Sequence, residues 1–318
     1  MKLIFFGTPD YVISVLDALK SAGCEIAAVV TQPPKAVGRR GVIEPSPVAQ
    51  WADKFNIQVI DKRPKDCIEE ILKISAEVAI LEAYGRIIPQ DLIDAFPKRI
   101  INVHPSLLPK YRGASPVEGA LAAGEKETGV TIIKLDNELD HGPILSQFTE
   151  PILPEDTRVT LRKRLFDKAA KILVEILPQY LEGKIQPQDQ DHDKATFTTL
   201  MKKEMGFIPP EYLDAATKGD AFRGKRWKIP FVKDCFLVPS AQSLDRFIRA
   251  VNPWPGAVTN VKIMVNGQWL IKKLKILEAH LDSSIINHQS LIIDSVQLEG
   301  KKPVTWKQFR QGYADAEF

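Results

Sequence analysis

Apolar segments alternate between strand and helix spacing at the start of the chain, and this alternation constrains the fold more than any other feature. Residues 2–6 form a short apolar run that predicts a buried strand, and Gly7 follows it at a turn. Apolar residues then recur at helical spacing from Val12 to Leu19, before residues 26–30 form a second apolar run. A strand, a helix and a strand in succession are typical of α/β proteins with a parallel sheet.

The same pattern continues through the first half of the chain. Four further segments predict strands, at residues 78–81, 100–104, 130–135 and around 144–146. Ser115 and Glu118 have the spacing of a capping box at the start of a helix, and Gly124 follows its end. An apolar stripe over residues 158–181 predicts a long helix that closes the first domain. We expect residues 1–183 to form a Rossmann-like, mostly parallel sheet with helices on both faces.

The sequence changes character after residue 183. Residues 184–206 are polar and carry little apolar periodicity, so we predict a linker. Beyond them, Asn266-Gly267 lies between two apolar runs and predicts a type I′ hairpin. We expect residues 207–318 to form a small β-barrel domain of the OB-like kind. Residues 1–183 hold 23 Lys and Arg against 25 Asp and Glu, whereas residues 184–318 hold 20 against 15. The C-terminal part is therefore the better place to look for a polyanionic partner.

The composition limits the class and the compartment. Of the 318 residues, 44% are hydrophobic and 26% are charged, which is typical of a globular protein with a sizeable core. The first apolar run stops at Gly7, too early for a signal peptide, and no run approaches the ~18 apolar residues of a membrane helix. Cys24, Cys67 and Cys235 lie far apart and lack zinc-binding spacing. We expect a cytoplasmic protein without a membrane partner.

Polar residues follow two of the predicted strands. Asn102 and His104 share one face, because residues two apart on a strand point the same way. Both lie at a carboxyl end, where open α/β sheets place their ligands. An Asn-x-His pair alone is most often a structural feature. Pro105 and Pro109 stiffen the loop that follows, however, and a second loop carries an acid, Asp140. Together these features favour an active site.

The two loops resemble those of the folate-dependent formyltransferases. The resemblance rests first on the string Asn102-Val103-His104-Pro105-Ser106-Leu107-Leu108-Pro109 and on Leu139-Asp140-His141-Gly142. In the second half, residues 249–257 and 298–303 look like that family's C-terminal domain. The resemblance covers about two-thirds of the chain. It implies an enzyme that transfers a one-carbon formyl group from a folate to an amine.

Carried over residue by residue, the resemblance implies that Asn102, His104 and Asp140 are catalytic. In this chemistry a free amine attacks the formyl carbon on N10 of the folate, and the carbonyl oxygen becomes an oxyanion. Asn102 and a protonated His104 can donate hydrogen bonds to that oxygen. Asp140 can hold His104 or a water molecule in place and can help to remove the proton of the amine. The reaction requires neither a metal nor a covalent intermediate, so we expect no metal.

The resemblance also implies where the co-substrate, 10-formyltetrahydrofolate, binds. The first expected contact is the loop of Ser106, Leu107, Leu108 and Pro109. The second is the backbone near Ala83, Tyr84, Gly85, Arg86 and Ile87, and the third is the backbone near Leu135–Asp140. Backbone donors and acceptors suit a flat pterin. We interpret the hydroxyl groups of Ser106 and Thr131, and the side chain of His141, as structural.

The amine acceptor follows from a finer resemblance. The chain is most similar to family members that formylate initiator methionyl-tRNA for translation initiation. Arg39 and Arg40 lie in a loop like the one with which those members reach the tRNA, and arginines suit phosphate contacts. Residues 204–245 and 281–290 depart from the family pattern. Two alternatives stay open: formylation of a small amine, such as a nucleotide-linked amino sugar, and a non-catalytic RNA-binding protein. We expect a monomer.

Overall fold

The computed structural model describes residues 1–38, 41–96, 100–220, 222, 224, 226–282 and 289–318. These residues form two compact units. Unit 1 comprises Met1–Gly113, Glu127–Pro151 and Thr160–Thr196, and unit 2 comprises Ala114–Lys126, Ile152–Val159 and Phe197–Phe318. Residues 184–196 of the predicted linker therefore lie within unit 1. The functional division into residues 1–183 and 207–318 stays a prediction.

Unit 1 is organised around one sheet. Its strands are β1 Lys2–Gly7, β2 Glu25–Val30, β3 Lys35–Val37, β4 Val42–Glu44, β5 Gln58–Ile60, β6 Val78–Glu82, β7 Ile100–His104, β8 Arg112–Gly113, β9 Glu127–Lys134 and β10 Ile144–Pro151. Seven of them form the sheet in the order β5-β2-β1-β6-β7-β9-β10. The first five strands in this order are parallel, and β9 is antiparallel to β7 and β10. The predicted mostly parallel sheet is confirmed.

Helices cover this sheet, and its central strands are accordingly apolar along their length. The helices of unit 1 are α1 Ile13–Ser21, α2 Pro47–Lys54, α3 Ile68–Lys73, α4 Gln90–Ala95 and, from residue 160 onward, α6 Arg158–Leu181. Helix α5, Pro116–Ala123, belongs to unit 2. On one face, Ile4 and Phe6 of β1 pack with Ile71 of α3 and Leu92 of α4. Phe5, on the opposite face of β1, is also fully buried, and both α1 and α2 contact β2.

The ends of α5 and α6 agree with the sequence, but the predicted capping box is wrong. The Ser115 hydroxyl donates to the carbonyl oxygen of Thr199 at 2.8 Å and makes no cap to the helix. The Glu118 carboxylate lies 3.5 Å from the Arg158 guanidinium instead. Gly124 ends α5 at φ +81°, in the left-handed conformation that glycine adopts without strain. Tertiary partners within unit 2 thus replace the local cap.

The described strands of unit 2 range from 2 to 14 residues in length. They are β11 Phe197–Thr198, β12 Trp227–Lys228, β13 Phe236–Leu237, β14 Ala257–Val265, β15 Gln268–Leu281, β16 Leu291–Leu298 and β17 Val304–Thr305. Strands β14 to β17 form an antiparallel sheet in sequence order. Asn266 at φ +50° and Gly267 at φ +77° join β14 to β15, which confirms the predicted hairpin. Isolated bridges from Phe207 and Glu317 reach β14. This antiparallel sheet is compatible with the OB-like expectation.

Three helices accompany α5 in unit 2: α7 Pro210–Lys218, α8 Ala241–Val251 and α9 Trp306–Gly312. Helix α8 packs on both α5 and β15. Its Phe247 ring lies 4.5 Å from that of Trp227, so part of the atypical segment 204–245 belongs to the core of this unit. Among the described residues, no helix combines the length with the apolar character that a membrane span requires.

Glu82, the last residue of β6, is a buried acid. Its side chain is fully buried, and neither carboxyl oxygen has a hydrogen-bond partner among the described residues. Gly7 is its neighbour on β1 and offers no side chain to pair with it. Burial raises the pKa of Glu82 well above its usual value, because a charge here would lose its hydration. The fold therefore accommodates the neutral carboxyl.

Replacing Glu82 tests this conclusion through the pH dependence of stability. A carboxyl with a raised pKa in the folded state keeps a proton that the unfolded chain has lost. Stability therefore falls as the pH rises from 4.5, the ordinary Glu value, toward the folded pKa. Relative to Glu82→Leu and Glu82→Gln, we expect the wild type to lose up to about 1.4 kcal/mol of unfolding free energy per pH unit in this window. Unfolding measured from pH 5 to 8 gives the difference, and parallel profiles would contradict the prediction.

Candidate active site

Asn102 and His104 lie on β7, between β6 and β9 of the sheet. The intervening residue, Val103, points to the other face, as the period of a strand requires. Both polar side chains are buried, with 7% of Asn102 and 5% of His104 exposed. Strands β6 and β7 are parallel, so the loops that follow them leave the same edge of the sheet. This edge is where ligands bind in open α/β sheets.

Asp140 reaches the same place by a loop that folds back. Because β9 is antiparallel to β7, Lys134 at the end of β9 pairs with Ile101, and the chain must then return over the sheet face that carries Asn102. Gly142 permits this return, since a Cβ atom there would lie 1.8 Å from the carbonyl oxygen of Lys134. Asp140 itself has φ +47°, in the left-handed region that few residues with side chains adopt.

The Asp140 carboxylate joins three groups. Its Oδ1 accepts a hydrogen bond from Asn102 Nδ2 at 3.1 Å, and its Oδ2 accepts one from the backbone amide of Gly113 at 2.8 Å. His104 Nδ1 lies 3.6 Å from the same Oδ2. The structure thus brings together the three residues that the sequence analysis singled out, and their catalytic roles stay predictions. The sequence did not indicate that the Gly113 amide binds Asp140, although Tyr111-Arg112-Gly113 closely follows the string 102–109.

The backbone fixes the tautomer of His104. Nε2 lies 3.0 Å from the carbonyl oxygen of Tyr111. A carbonyl only accepts, so Nε2 must carry a proton. Nδ1 therefore faces Asp140 as a lone pair in the neutral ring, and as a second N–H in the protonated ring. Tyr111 has φ +58°, and its amide donates to Thr196 Oγ1 at 2.8 Å. The chain beyond residue 183 thus helps to set the orientation of the imidazole.

The first predicted folate loop is fixed from the neighbouring strand. Thr131 Oγ1 on β9 donates to the carbonyl oxygen of Ser106 at 2.7 Å and accepts from the amide of Leu108 at 3.0 Å. The Ser106 hydroxyl is fully buried and donates to the carbonyl oxygen of Lys110 at 2.7 Å. Leu108 is buried, whereas Leu107 and Pro109 are partly exposed. A ligand can therefore reach Leu107 and Pro109 most easily.

The second predicted folate loop follows β6 and comprises Ala83, Tyr84, Gly85, Arg86 and Ile87. The carbonyl oxygen of Tyr84 accepts from Thr8 Oγ1 at 3.1 Å and from Gln32 Nε2 at 2.9 Å. Gly85 has φ +76°, and a Cβ atom there would lie 2.7 Å from Gln32 Nε2. Ile87 is 91% exposed, so this anchored loop presents a large apolar side chain to solvent.

The remaining predicted contacts, Arg39 and Arg40, lie outside the described residues. The strands on either side of them, β3 and β4, pair with each other and are exposed. Arg112, a residue that the sequence analysis did not assign to the site, is buried close to it. Burial lowers the pKa of the Arg112 guanidinium, and the carboxylates of Asp140, Asp136 and Glu138 oppose that shift. A cation is thus held beside the candidate catalytic acid.

Comparisons with known proteins identify the family of the chain. Residues 1–177 match the family described as Formyl transferase, and residues 239–290 match the one described as Formyl transferase, C-terminal domain. Methionyl-tRNA formyltransferase of Chloroflexus aurantiacus is 36% identical over 287 residues, which are 89% of this chain and 81% of that protein.

Two solved structures share the fold. Methionyl-tRNA formyltransferase from Clostridium thermocellum has a TM-score of 0.57 at 18% identity and covers 94% of this chain and 98% of its own. HypX from Aquifex aeolicus, in complex with tetrahydrofolic acid, has a TM-score of 0.61 at 14% identity and covers 99% of this chain and 47% of its own. At these identities the likeness concerns the fold alone. On the sequence matches, the chain belongs to the formyltransferase family, among relatives that bear the name methionyl-tRNA formyltransferase.

Proposed function

We propose that this chain transfers the formyl group of 10-formyltetrahydrofolate to the free amino group of initiator methionyl-tRNA, the step that prepares this tRNA for translation initiation. The observation that carries the proposal is the Asp140 carboxylate, which gathers Asn102 and His104 at the carboxyl end of β7. The names of the relatives support the acceptor. The catalytic residues in this proposal are Asn102, His104 and Asp140.

The reaction needs hydrogen-bond donors for the formyl oxygen. It also needs one group that takes a proton from the amine and one that gives a proton to N10. A C–N bond forms between the amine and the formyl carbon, and the carbonyl oxygen becomes an oxyanion. When the oxyanion collapses, the bond to N10 breaks, the amine has lost a proton and N10 has gained one. Asn102 Nδ2 carries two hydrogens, of which one is donated to Asp140. The other is available to the oxyanion, as the chemistry of acyl transfer requires.

His104, when protonated, supplies a positive charge to the reaction, and the Asp140 carboxylate supplies a negative one. The Tyr111 carbonyl holds Nε2–H, so a protonated His104 offers Nδ1–H to the reacting oxygen or to Asp140. An imidazolium formed during the reaction faces the carboxylate at 3.6 Å, and this opposite charge stabilises it. Asp140 can also accept the proton of the amine, directly or through a water molecule.

Two exposed apolar side chains of unit 1 are proposed contacts of the folate. Ile87 is 91% exposed, and Leu139, which precedes Asp140, is 59% exposed. Ile87 lies on a loop that the family resemblance assigns to the folate, and Leu139 lies in the segment 135–140, whose backbone the resemblance also assigns to it. Burying these side chains against an aromatic ring system would be favourable. Arg86, between Gly85 and Ile87, and the partly exposed Leu107 and Pro109 complete the proposed contacts.

A basic surface on unit 2 suits the tRNA. Residues 201–318 hold 18 Lys and Arg against 12 Asp and Glu. The outward face of the β14–β15 hairpin carries Lys262, Lys273 and Lys275, all exposed, with Trp269 and Ile271 beside them. We call this set the basic face. Lysines suit phosphates, and an exposed indole suits a base. Arg39 and Arg40 are the proposed RNA contacts of unit 1.

Replacing the proposed oxyanion donor should affect turnover far more than folding. We expect Asn102→Ala to lower kcat by about 10²–10³-fold, the usual effect of losing one such donor. His104→Ala should have an effect of similar size, because it removes the second donor. Formyl transfer to methionyl-tRNA, measured at saturating concentrations of both substrates, tests this expectation.

The matched control for these two variants is Gln179→Ala, which removes an exposed amide from α6 and should leave the rate unchanged. Unfolding profiles should be similar for all three variants. If Asn102→Ala and His104→Ala both kept near-normal rates, the proposed mechanism would have to be abandoned.

The basic face should make tRNA binding sensitive to salt. Each neutralised phosphate releases condensed counterions, so the logarithm of the affinity should fall with the logarithm of salt concentration by about 0.9 per contact. Replacing Lys262, Lys273 and Lys275 by Ala should flatten that slope, with no change in folate affinity. Arg39→Ala should flatten it by a smaller amount and lower the rate with tRNA. Binding titrations over a range of salt concentrations measure the slopes.

A triple variant of unit 1, with Lys54, Lys65 and Lys73 changed to Ala, is the control, because it removes the same charge from exposed positions. Its slope should match the wild type. A flat salt dependence in the wild type would argue against a tRNA acceptor and in favour of a small amine.

A further inference from the structure

A buried glutamine, Gln190, makes two hydrogen bonds to the turn that carries Asp140. Gln190 Nε2 donates to the carbonyl oxygen of Asp140 at 2.9 Å and to that of Gly142 at 2.8 Å. Both hydrogens of the side-chain amide are thus used, one on each side of His141. Only 5% of Gln190 is exposed. Gln190 therefore binds the backbone of this turn, whereas the Asp140 carboxylate points to Asn102 and Gly113.

A buried arginine fixes the orientation of this glutamine. Arg112 Nη2 lies 2.8 Å from Gln190 Oε1, to which it donates. A guanidinium has no acceptor and a carbonyl has no donor, so the amide cannot be turned over without losing all three bonds. Gln188, just before this residue, pairs with Ile144 through both backbone groups, at 2.7 and 2.9 Å. The segment is thereby attached to the first residue of β10.

Two stacked imidazoles, those of His141 and His192, lie next to Arg112 and Gln190. Arg112 Nη2 also lies 2.7 Å from His192 Nδ1. The His192 ring stacks on that of His141, with centroids 3.8 Å apart and planes inclined by 6°. His141 Nδ1 in turn lies 2.7 Å from Asp136 Oδ2. The residue after Asp140 is thus attached on both sides, to the preceding loop and to the segment around Gln190.

We propose that Gln190, oriented by Arg112, is a positioning residue for Asp140. It holds Asp140 at φ +47°, the backbone conformation from which one carboxylate reaches both Asn102 and the Gly113 amide. A left-handed conformation is unfavourable for a residue with a side chain, and it persists only where surrounding bonds enforce it. The proposal rests on the proposed function in one respect only, namely that Asp140 acts in formyl transfer.

The test is a double-mutant cycle on the complete chain. Gln190→Ala should lower kcat by about 10–100-fold, the size found for outer partners that orient metal ligands, with KM for both substrates nearly unchanged. In an Asp140→Ala background the same change should alter kcat by less than about twofold, because Gln190 acts through that carboxylate. Equal losses in the two backgrounds, or no loss in the wild-type background, would overturn the proposal.

A second variant keeps the test valid if Gln190→Ala folds poorly. Gln190→Glu preserves the volume and the acceptor for Arg112, and it removes both N–H donors. It should show the same loss of kcat and the same dependence on Asp140. Asn252→Ala is the matched control, because Asn252 Nδ2 also donates to two carbonyl oxygens, those of Ile276 and Leu277, within unit 2. This control should lower stability and leave kcat of the folded protein within about twofold.

The Gly113 amide gives a readout that is independent of catalysis. It donates to Asp140 Oδ2 at 2.8 Å, so its proton resonance and its hydrogen exchange report the position of the carboxylate. Gln190→Ala and Gln190→Glu should shift that resonance upfield and speed the exchange, and Asn252→Ala should do neither. An unchanged Gly113 amide in both Gln190 variants would overturn the proposal. Normal turnover in Asp140→Ala, in contrast, would refute the proposed function and leave this readout intact.

Discussion

The site depends on one carboxylate in an unfavourable backbone conformation. Asp140 at φ +47° binds the Asn102 amide and the Gly113 backbone, and it faces His104. Aspartate visits the left-handed region more often than most residues with side chains, but the conformation stays uncommon and the bonds around Asp140 hold it. Three features contribute to these bonds: the strand order of the sheet, Gly142 in the same loop, and the segment after α6 that carries Gln190.

The antiparallel direction of β9 explains why the loop that carries Asp140 must fold back over the sheet. A parallel strand would release its following loop at the carboxyl edge, directly beside His104. Strand β9 releases its loop at the opposite end of β7, so residues 135–143 must return over the face of the sheet. Gly142 allows the close approach to Lys134, and Gln190 binds the turn from outside. Residues 184–196, which look like a polar linker in the sequence, are thus part of unit 1.

Periodic features were predictable from the sequence, and contacts between distant segments were not. The pairing of Asn102 with His104 on one face follows from the period of a strand, and the turn at Asn266 and Gly267 follows from its own residues. Gln190 lies in a polar stretch without periodicity, and nothing local indicates that its amide binds the carbonyls of Asp140 and Gly142. The capping box at Ser115 failed for the same reason, since its hydroxyl donates to Thr199 instead.

The most direct test of this account is the rate of formyl transfer in a single turnover by Asp140→Asn. The amide has the shape of the carboxylate but no charge to face His104, and it cannot accept the proton of the amine. We expect a fall of about 10²–10⁴-fold, the range for a lost acid–base group, with folate and methionyl-tRNA still bound. A rate close to that of the wild type would contradict it.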